Sequence, residues 1–350
     1  MFIIYKSNNL NHLLLKATHI IRDKPLDNIF SKEIFIHDHL ILFEYLNIFI
    51  AQKIGISANL QYYHPDVFIW KLFEKLLLKK KINNIFTSSI IMWKIVKILD
   101  HKKFVIPFNI KNNNFEKLKF SFLMANIFKQ YIFYRPDWIN EFEKNKNILK
   151  FNHDEQWQIK LWIEIINDIK KNNQSVYHFS NLFQSFQLLI QEKKINKTCL
   201  PCRLFVISSF SLNPSYIKIL KEISLYIDVY FLYTTPYKYN IFNIIKNTKS
   251  IETKNIYKKN VLNNSLIKLW GQYAKIYEFH IIESEKIKII HYFKKNKNNN
   301  LLKNIQNDFL KKFPKKKKDY YNQQIIQFLS IFVIIKKMKL KYYMKNYCYF

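Results

Sequence analysis

A parallel α/β sheet interrupted by a long helical stretch is the fold this sequence predicts, on three observations. A strand–helix–strand–helix–strand alternation opens the chain, the middle carries only helical periodicity, and strand–helix–strand alternation returns after residue 203. The segment 2–6 is a short apolar strand, and Ser7-Asn8-Asn9 supplies cap chemistry for a helix over about 9–22. Glu33 to His37 forms a second strand, followed by an amphipathic helix over about 40–54 that Gly55 ends, as a residue tolerant of positive φ should. Ala58 to Tyr62 makes the third strand.

Pro65 then sits in a first helical turn, with Val67, Trp70, Phe73 and Leu77 tracing the apolar face behind it. Further helices are predicted at about 88–99, 115–133, 154–171 and 180–193; in the 154–171 helix Trp157, Leu161, Ile165 and Ile169 recur every four residues. A strand at 203–208, a helix opening near Pro214 and a strand at 228–233 complete the sheet. The segment 294–300 is a solvated, lysine- and asparagine-rich loop.

Of the 350 residues, 49% are hydrophobic and 17% aromatic, which supports a sizeable core and excludes a disordered chain. Only two glycines occur, Gly55 and Gly271, so neither a Walker phosphate loop nor a GxGxxG fingerprint can form. The formal charge of +32 points towards polyanions. Three of the 57 basic residues are arginine and the rest lysine, while Ile, Asn, Phe and Tyr crowd every row. These residues share A/T-only codons, so base bias explains much of the charge. Three cysteines exclude a disulfide-rich scaffold. No signal peptide is visible, and the longest apolar run, Ile325 to Ile335, is too short to span a bilayer, so a cytoplasmic chain without membrane partners is expected.

Candidate sites are few. Cys199-Leu-Pro-Cys202 has redox or half-zinc spacing but precedes a strand, where a redox pair would follow one; two small residues in a turn fit better. His37-Asp38-His39 places both imidazoles on one face of a strand, a possible metal seed with no third ligand tied to it. Asp66 with Asp100-His101-Lys102 mimics a nuclease pattern, but such triplets arise freely in a lysine-rich chain, and Asp66 suits a helix start. Arg135 lies between aromatics in Tyr131–Trp138, just before Pro136 forces a break. An arginine kept against the codon bias makes a bidentate or stacked contact that lysine cannot replace. Two readings stay open: a staple to Asp137 within the turn, or a ligand contact.

Several runs together resemble the N-terminal part of the RecC family, the gamma chains of exodeoxyribonuclease V. They are Tyr5–Leu10, Ser57–Leu60, Phe68–Trp70, Met92–Lys94, Tyr134–Trp138, Leu204–Ile207 and Leu269–Gly271, with weaker similarity to Asn304–Asp308. Their order is collinear over about residues 1–310. The resemblance implies a helicase-like domain of the P-loop NTPase class that has lost its phosphate loop, in agreement with the glycine count. It would span 1–313, with its helical insertion at about 65–195.

The resemblance further implies a non-catalytic subunit of an ATP-dependent helicase–nuclease that repairs and recombines double-strand breaks. Such a subunit works with RecB-like and RecD-like subunits in a heterotrimer, splits DNA ends and guides the 3′-ended strand while scanning it for a regulatory sequence. It has no cofactor of its own; ATP and Mg2+ are used by its partners. The family's scanning surface would run through Asp38–Glu44, Trp70 and Asn126–Arg135. Trp70, Gln130 and Arg135 keep the family residue and are the implied DNA contacts. Asp38, Leu40, Glu44, Asn126, Lys129 and Phe179 depart from it, and the acids at 38 and 44 would repel phosphate.

The family's second helicase-like region and its nuclease-like C-terminal domain have no counterpart here. Residues 314–350 read instead as an aberrant basic and apolar tail. Written with A/T-rich codons (ATA for Ile, TTG for Leu340) and read one base earlier behind a C, Ile331 to Lys345 becomes HICHNKKNEIEILYE. That resembles the family's continuation, a strand ending in His-x-Cys-His followed by a Glu-rich helix, and implies a frameshift near residue 329. The alternatives are a non-functional truncated remnant of that subunit, or an unrelated lysine-rich module binding nucleic acid or a membrane surface.

Overall fold

The computed structural model describes residues 1–28, 30–78, 84–100, 113–144, 153–208, 212–236, 238, 277–278, 281, 287–295, 302–303, 306–307 and 310. Six strands form one sheet in the order β3-β2-β4-β5-β1-β6. They are β1 (Phe2–Ser7), β2 (Glu33–Ile36), β3 (Leu60–Tyr63), β4 (Arg203–Ser208), β5 (Asp228–Thr234) and β6 (Lys288–His291). β2 runs parallel to both neighbours, pairing Phe35 with Tyr62 of β3 and with Phe205 of β4. β1 and β4 are buried at every position, as strands covered on both faces must be.

The connecting helices are α1 (Leu10–Asp23), α2 (Leu40–Ile54) and α9 (Pro214–Ile223). Asn9 caps α1 by accepting from the Asn11 amide at 2.9 Å, and Leu13, Leu14, Ala17 and Ile20 bury its inner face. Gly55 ends α2 at φ 95°, a conformation that would strain any residue with a Cβ, and its amide returns to the Ala51 carbonyl at 2.8 Å. Pro214 opens α9 behind Asn213, whose side chain accepts from the Ser215 amide.

Between β3 and β4 lie α3 (Pro65–Phe73, continued by a π turn over Glu74–Leu78), α4 (Ser88–Asp100), α5 (Asn114–Tyr134), α6 (Pro136–Glu143), α7 (His153–Lys171) and α8 (Phe179–Gln191). On α3 the face that packs is Phe68, Ile69, Leu72, Phe73 and Leu76, and Val67 is exposed. The expected stripe through Val67, Trp70 and Leu77 is corrected by one position, because two stripes of similar apolarity coexist on this helix and packing against α8 selects one. On α7 the predicted row holds: Trp157, Leu161, Ile165 and Ile169 are all buried, with Trp162 beside them. α6 and β6 were not anticipated; Pro136 reads as a helix break and serves as a helix start.

The described residues divide into two compact units. The first holds Met1–Ile3, Ala17–Leu232 and Ile287–Lys288; the second holds Ile4–Lys16 and the remaining described residues from Tyr233 onward. In the first, Phe35, Phe205 and Tyr230 stack in a row across β2, β4 and β5 at 4.8 and 5.2 Å. In the second, Lys6 and Glu278 form a buried ion pair at 2.7 Å, and the Asn8 side chain clamps the Lys294 backbone in both directions. Residues 314–350, Gly271 and most of 294–300 lie outside the described residues. No helix among the described residues is long and apolar enough to cross a membrane.

Candidate nucleic-acid interface

Parallel sheets bind their ligands beyond the carboxyl ends of the strands, where the connections splay apart. Here a cavity of about 330 Å³ lies at that edge, lined by residues that follow three successive strands. Asp38 follows β2, His64 and Asp66 follow β3, and Leu212 and Asn213 follow β4. The C-terminal turns of α5 close the other side with Lys129, Gln130, Phe133 and Tyr134. A second cavity of about 210 Å³ shares Asp66, Lys129, Phe133 and Tyr216 with the first and adds Trp70, Phe86 and Phe179.

Tyr216 holds the wall between strands and helices. Its phenol donates to Asp66 Oδ1 at 2.7 Å across 150 residues of sequence. Burial and the adjacent Asp66 carboxylate push the Tyr216 phenol far above its usual range, so it stays a neutral donor. His64 caps α3, its Nδ1 accepting from the Asp66 amide at 3.4 Å. The lining is therefore carboxylates and amides set among aromatic rings, with Lys129 as a cation.

Of the three implied contacts, the structure brings two together. Gln130 is exposed on the first cavity and half-buried Trp70 lines the second. Arg135 lines neither. It caps the end of α5, its Nε and Nη2 donating to Asp137 at 3.1 and 2.7 Å while its guanidinium lies 4.0 Å from the Trp138 ring centre. Of the two readings of Arg135, the turn staple is present, and it leaves the side chain 47% exposed. Of the departing residues, Asp38, Lys129 and Phe179 line the cavities, while Glu44 is exposed on α2.

The other candidates resolve into local roles. His37 and His39 do not share a strand face: β2 ends at Ile36, and both sit in the turn before α2, their rings 5.5 Å apart. His37 Nδ1 accepts from the His39 amide, and burial lowers the His37 imidazole against the pull of Asp38, which keeps it neutral at pH 7. Among the described residues no group of three or more His, Cys, Asp or Glu could hold a metal ion. Asp100 pairs with Lys117 at 2.8 Å and Asp66 with Tyr216, so those two carboxylates serve different contacts; His101 and Lys102 lie outside the described residues. Cys199 ends a short 3-10 turn and Cys202 is exposed ahead of β4. At the β1–α1 turn, where phosphate-binding sheets carry their Gly-rich loop, Ser7 Oγ accepts from the Asn9 amide and Asn9 Oδ1 from the Asn11 amide. Two of the amides that a phosphate would need are thus engaged by side chains.

Sequence reasoning missed His64, Asn213 and Tyr216. The Asn213-Pro214 pair signalled a helix start, but nothing in the sequence marked one tyrosine among 23 as the partner of Asp66.

The architecture is thus an α/β sheet with a large helical excursion, bearing a polar–aromatic site at its strand ends. Comparison with known proteins makes it particular. The family model described as RecC, N-terminal domain, matches residues 2–312, and the chain belongs to that family. It is similar to RecBCD enzyme subunit RecC of Buchnera aphidicola subsp. Acyrthosiphon pisum, at 60% identity over 91% of this chain and 30% of the relative. The corresponding subunit of Buchnera aphidicola subsp. Schizaphis graminum is 45% identical over 89% of this chain and 28% of its own length. That of Escherichia coli is 26% identical over 68% of this chain and 22% of its own. The chain therefore spans less than a third of the length of these relatives.

Proposed function

We propose that this chain is a DNA-strand-guiding, non-catalytic part of a RecBCD-type helicase–nuclease, assembling with RecB-like and RecD-like subunits at double-stranded DNA ends. The observation that carries the reading is the family match over residues 2–312, joined to a chain in which two glycines leave no means of building a Gly-rich phosphate loop. On this reading the sheet is a helicase-like domain of the P-loop class without its loop, and ATP and Mg2+ belong to the partner subunits. Trp70 and Gln130 contact the 3′-ended strand from the cavities at the strand ends; Arg135 does so from the α5–α6 junction.

Asp38 and Asp66 among those contacts work against a close, sequence-reading fit, while lysines supply point charges, so strand contact is generic and electrostatic. The test is reconstitution with RecB-like and RecD-like subunits. A stable complex is expected, with DNA-stimulated ATP hydrolysis in the complex and none in the isolated chain. DNA affinity should fall steeply with salt and be equal for any octamer and its scramble. ATP hydrolysis that follows the isolated chain through several columns, or octamer discrimination at high salt, overturns it.

A second reading, a folded remnant without a working complex, rests on one feature of the sequence: the tail after residue 313, whose shifted frame resembles the family. Resequencing the A-runs over the codons for residues 315–340 separates the two, since a clean frame with the same tail removes the frameshift.

A further inference from the structure

The inner face of α5 is ordinary: Ser121, Met124, Ala125, Phe128 and Ile132 are buried at i, i+3, i+4, i+7 and i+11. Its outer face should by the same logic be polar. Instead Phe115 is 72% exposed, Phe122 53% and Leu123 52%. Helical spacing places Phe115, Lys119, Phe122, Asn126, Lys129 and Gln130 along a single outward stripe, each three or four residues from the next but for the adjacent Lys129 and Gln130. Two of these, Lys129 and Gln130, line the cavity at the strand ends. The stripe therefore runs from that cavity outward for about four turns.

We propose that this stripe is a track for single-stranded DNA, on which Phe115 and Phe122 stack bases and Lys119 and Lys129 pair with phosphates. The inference rests on the strand-guiding reading and extends it to Phe115, Lys119 and Phe122, which the family resemblance does not assign. Bare rings alternating with cations are what a sequence-tolerant single-strand surface requires, since every base has a face to stack and every phosphate a charge to meet. Charge complementarity selects this occupant over a protein. The stripe carries two lysines and no carboxylate, whereas the exposed apolar face of α2 (Ile41, Tyr45 and Ile48) carries Glu44 and no cation. Continuity with Gln130 gives the strand somewhere to go.

The experiment is fluorescence anisotropy of the full chain with a labelled oligothymidylate, across a salt series. Phe115→Ala with Phe122→Ala should weaken binding roughly 30-fold or more and leave the salt slope unchanged, because no phosphate contact is lost. Phe122→Leu, which keeps apolar bulk without a ring face, should lose affinity, and Phe122→Trp should retain it. Lys119→Gln should instead reduce the slope by roughly 0.7. Both rings are exposed, so the variants keep their fold, which circular dichroism checks.

If the parent chain binds and the ring variants bind equally well, the track is wrong while the strand-guiding reading stands. If the ring variants bind DNA normally but fail to join the RecB-like subunit, the stripe is a protein-docking face and the proposal falls. If the parent chain fails to bind even at low salt, the strand-guiding reading itself fails and takes the track with it.

Discussion

Arg203 and Arg135 each grip a carboxylate with two guanidinium nitrogens, yet one grip is sealed in the sheet and the other lies open at a helix junction. Arg203 donates Nε to Glu33 Oε2 at 2.7 Å and Nη2 to Glu33 Oε1, with Nη1 on the Lys24 carbonyl at 2.6 Å; both side chains of the pair are 7% exposed. The Arg135–Asp137 pair is 47% and 60% exposed. Codon bias left this chain three arginines, and the fold spends two of them on different tasks. The buried one ties β4 to β2, where a single unpaired charge would be ruinous. The open one sits at the α5–α6 junction with a grip that solvent screens, so it can exchange partners at little cost.

The largest test of this contrast is Arg203→Ala. It should lower stability by about 3–5 kcal/mol, seen as a fall in the urea midpoint, because Glu33 is left charged and dry. Replacing both partners, Arg203→Met with Glu33→Leu, should recover most of that loss. A midpoint unmoved by Arg203→Ala would show that the burial has no energetic meaning.

Between the extremes lies Asp168, held by Lys94 at 2.7 Å and Lys97 at 2.8 Å. Burial raises the Asp168 carboxyl, but the two ammonium groups outweigh it and hold it below its usual range. Its stabilising contribution is therefore complete above about pH 4, the unfolded value, and fades as pH falls through the lower folded value. Asp168→Asn should cost about 1–2 kcal/mol at pH 7 and less at pH 3. Equal losses at both pH values would show that packing, not charge, is what the side chain supplies.

The smallest effect is expected at the open pair. Asp137→Asn should change stability by less than about 0.5 kcal/mol. It frees the Arg135 guanidinium, so oligothymidylate affinity should rise about two- to threefold, with a steeper salt dependence. A loss of several kcal/mol there would erase the contrast with Arg203.

Local signals were legible where one residue decides one turn. Gly55 ends α2, Pro65 and Pro214 open helices, and the Trp157 row buries as its spacing says. They failed where two local answers were nearly equal. Val67 and Phe68 begin rival stripes on α3, and the histidines of His37-Asp38-His39 fit a strand or a turn equally well until β2 ends. Pro136 can stop a helix or start one, and here it starts α6.

By itself the sequence determined most of the elements and their order (α6 and β6 excepted), the absence of a Gly-rich phosphate loop and the RecC likeness, because periodicity, caps and glycine count act within a few residues. Only the tertiary structure decided what shares a cavity. Asp66 and Tyr216 meet across 150 residues, and Arg203 reaches Glu33 across 170. Neither pair has a spacing to read. Such contacts follow from which strand ends lie side by side in a parallel sheet, a property of the packed chain and of no segment within it.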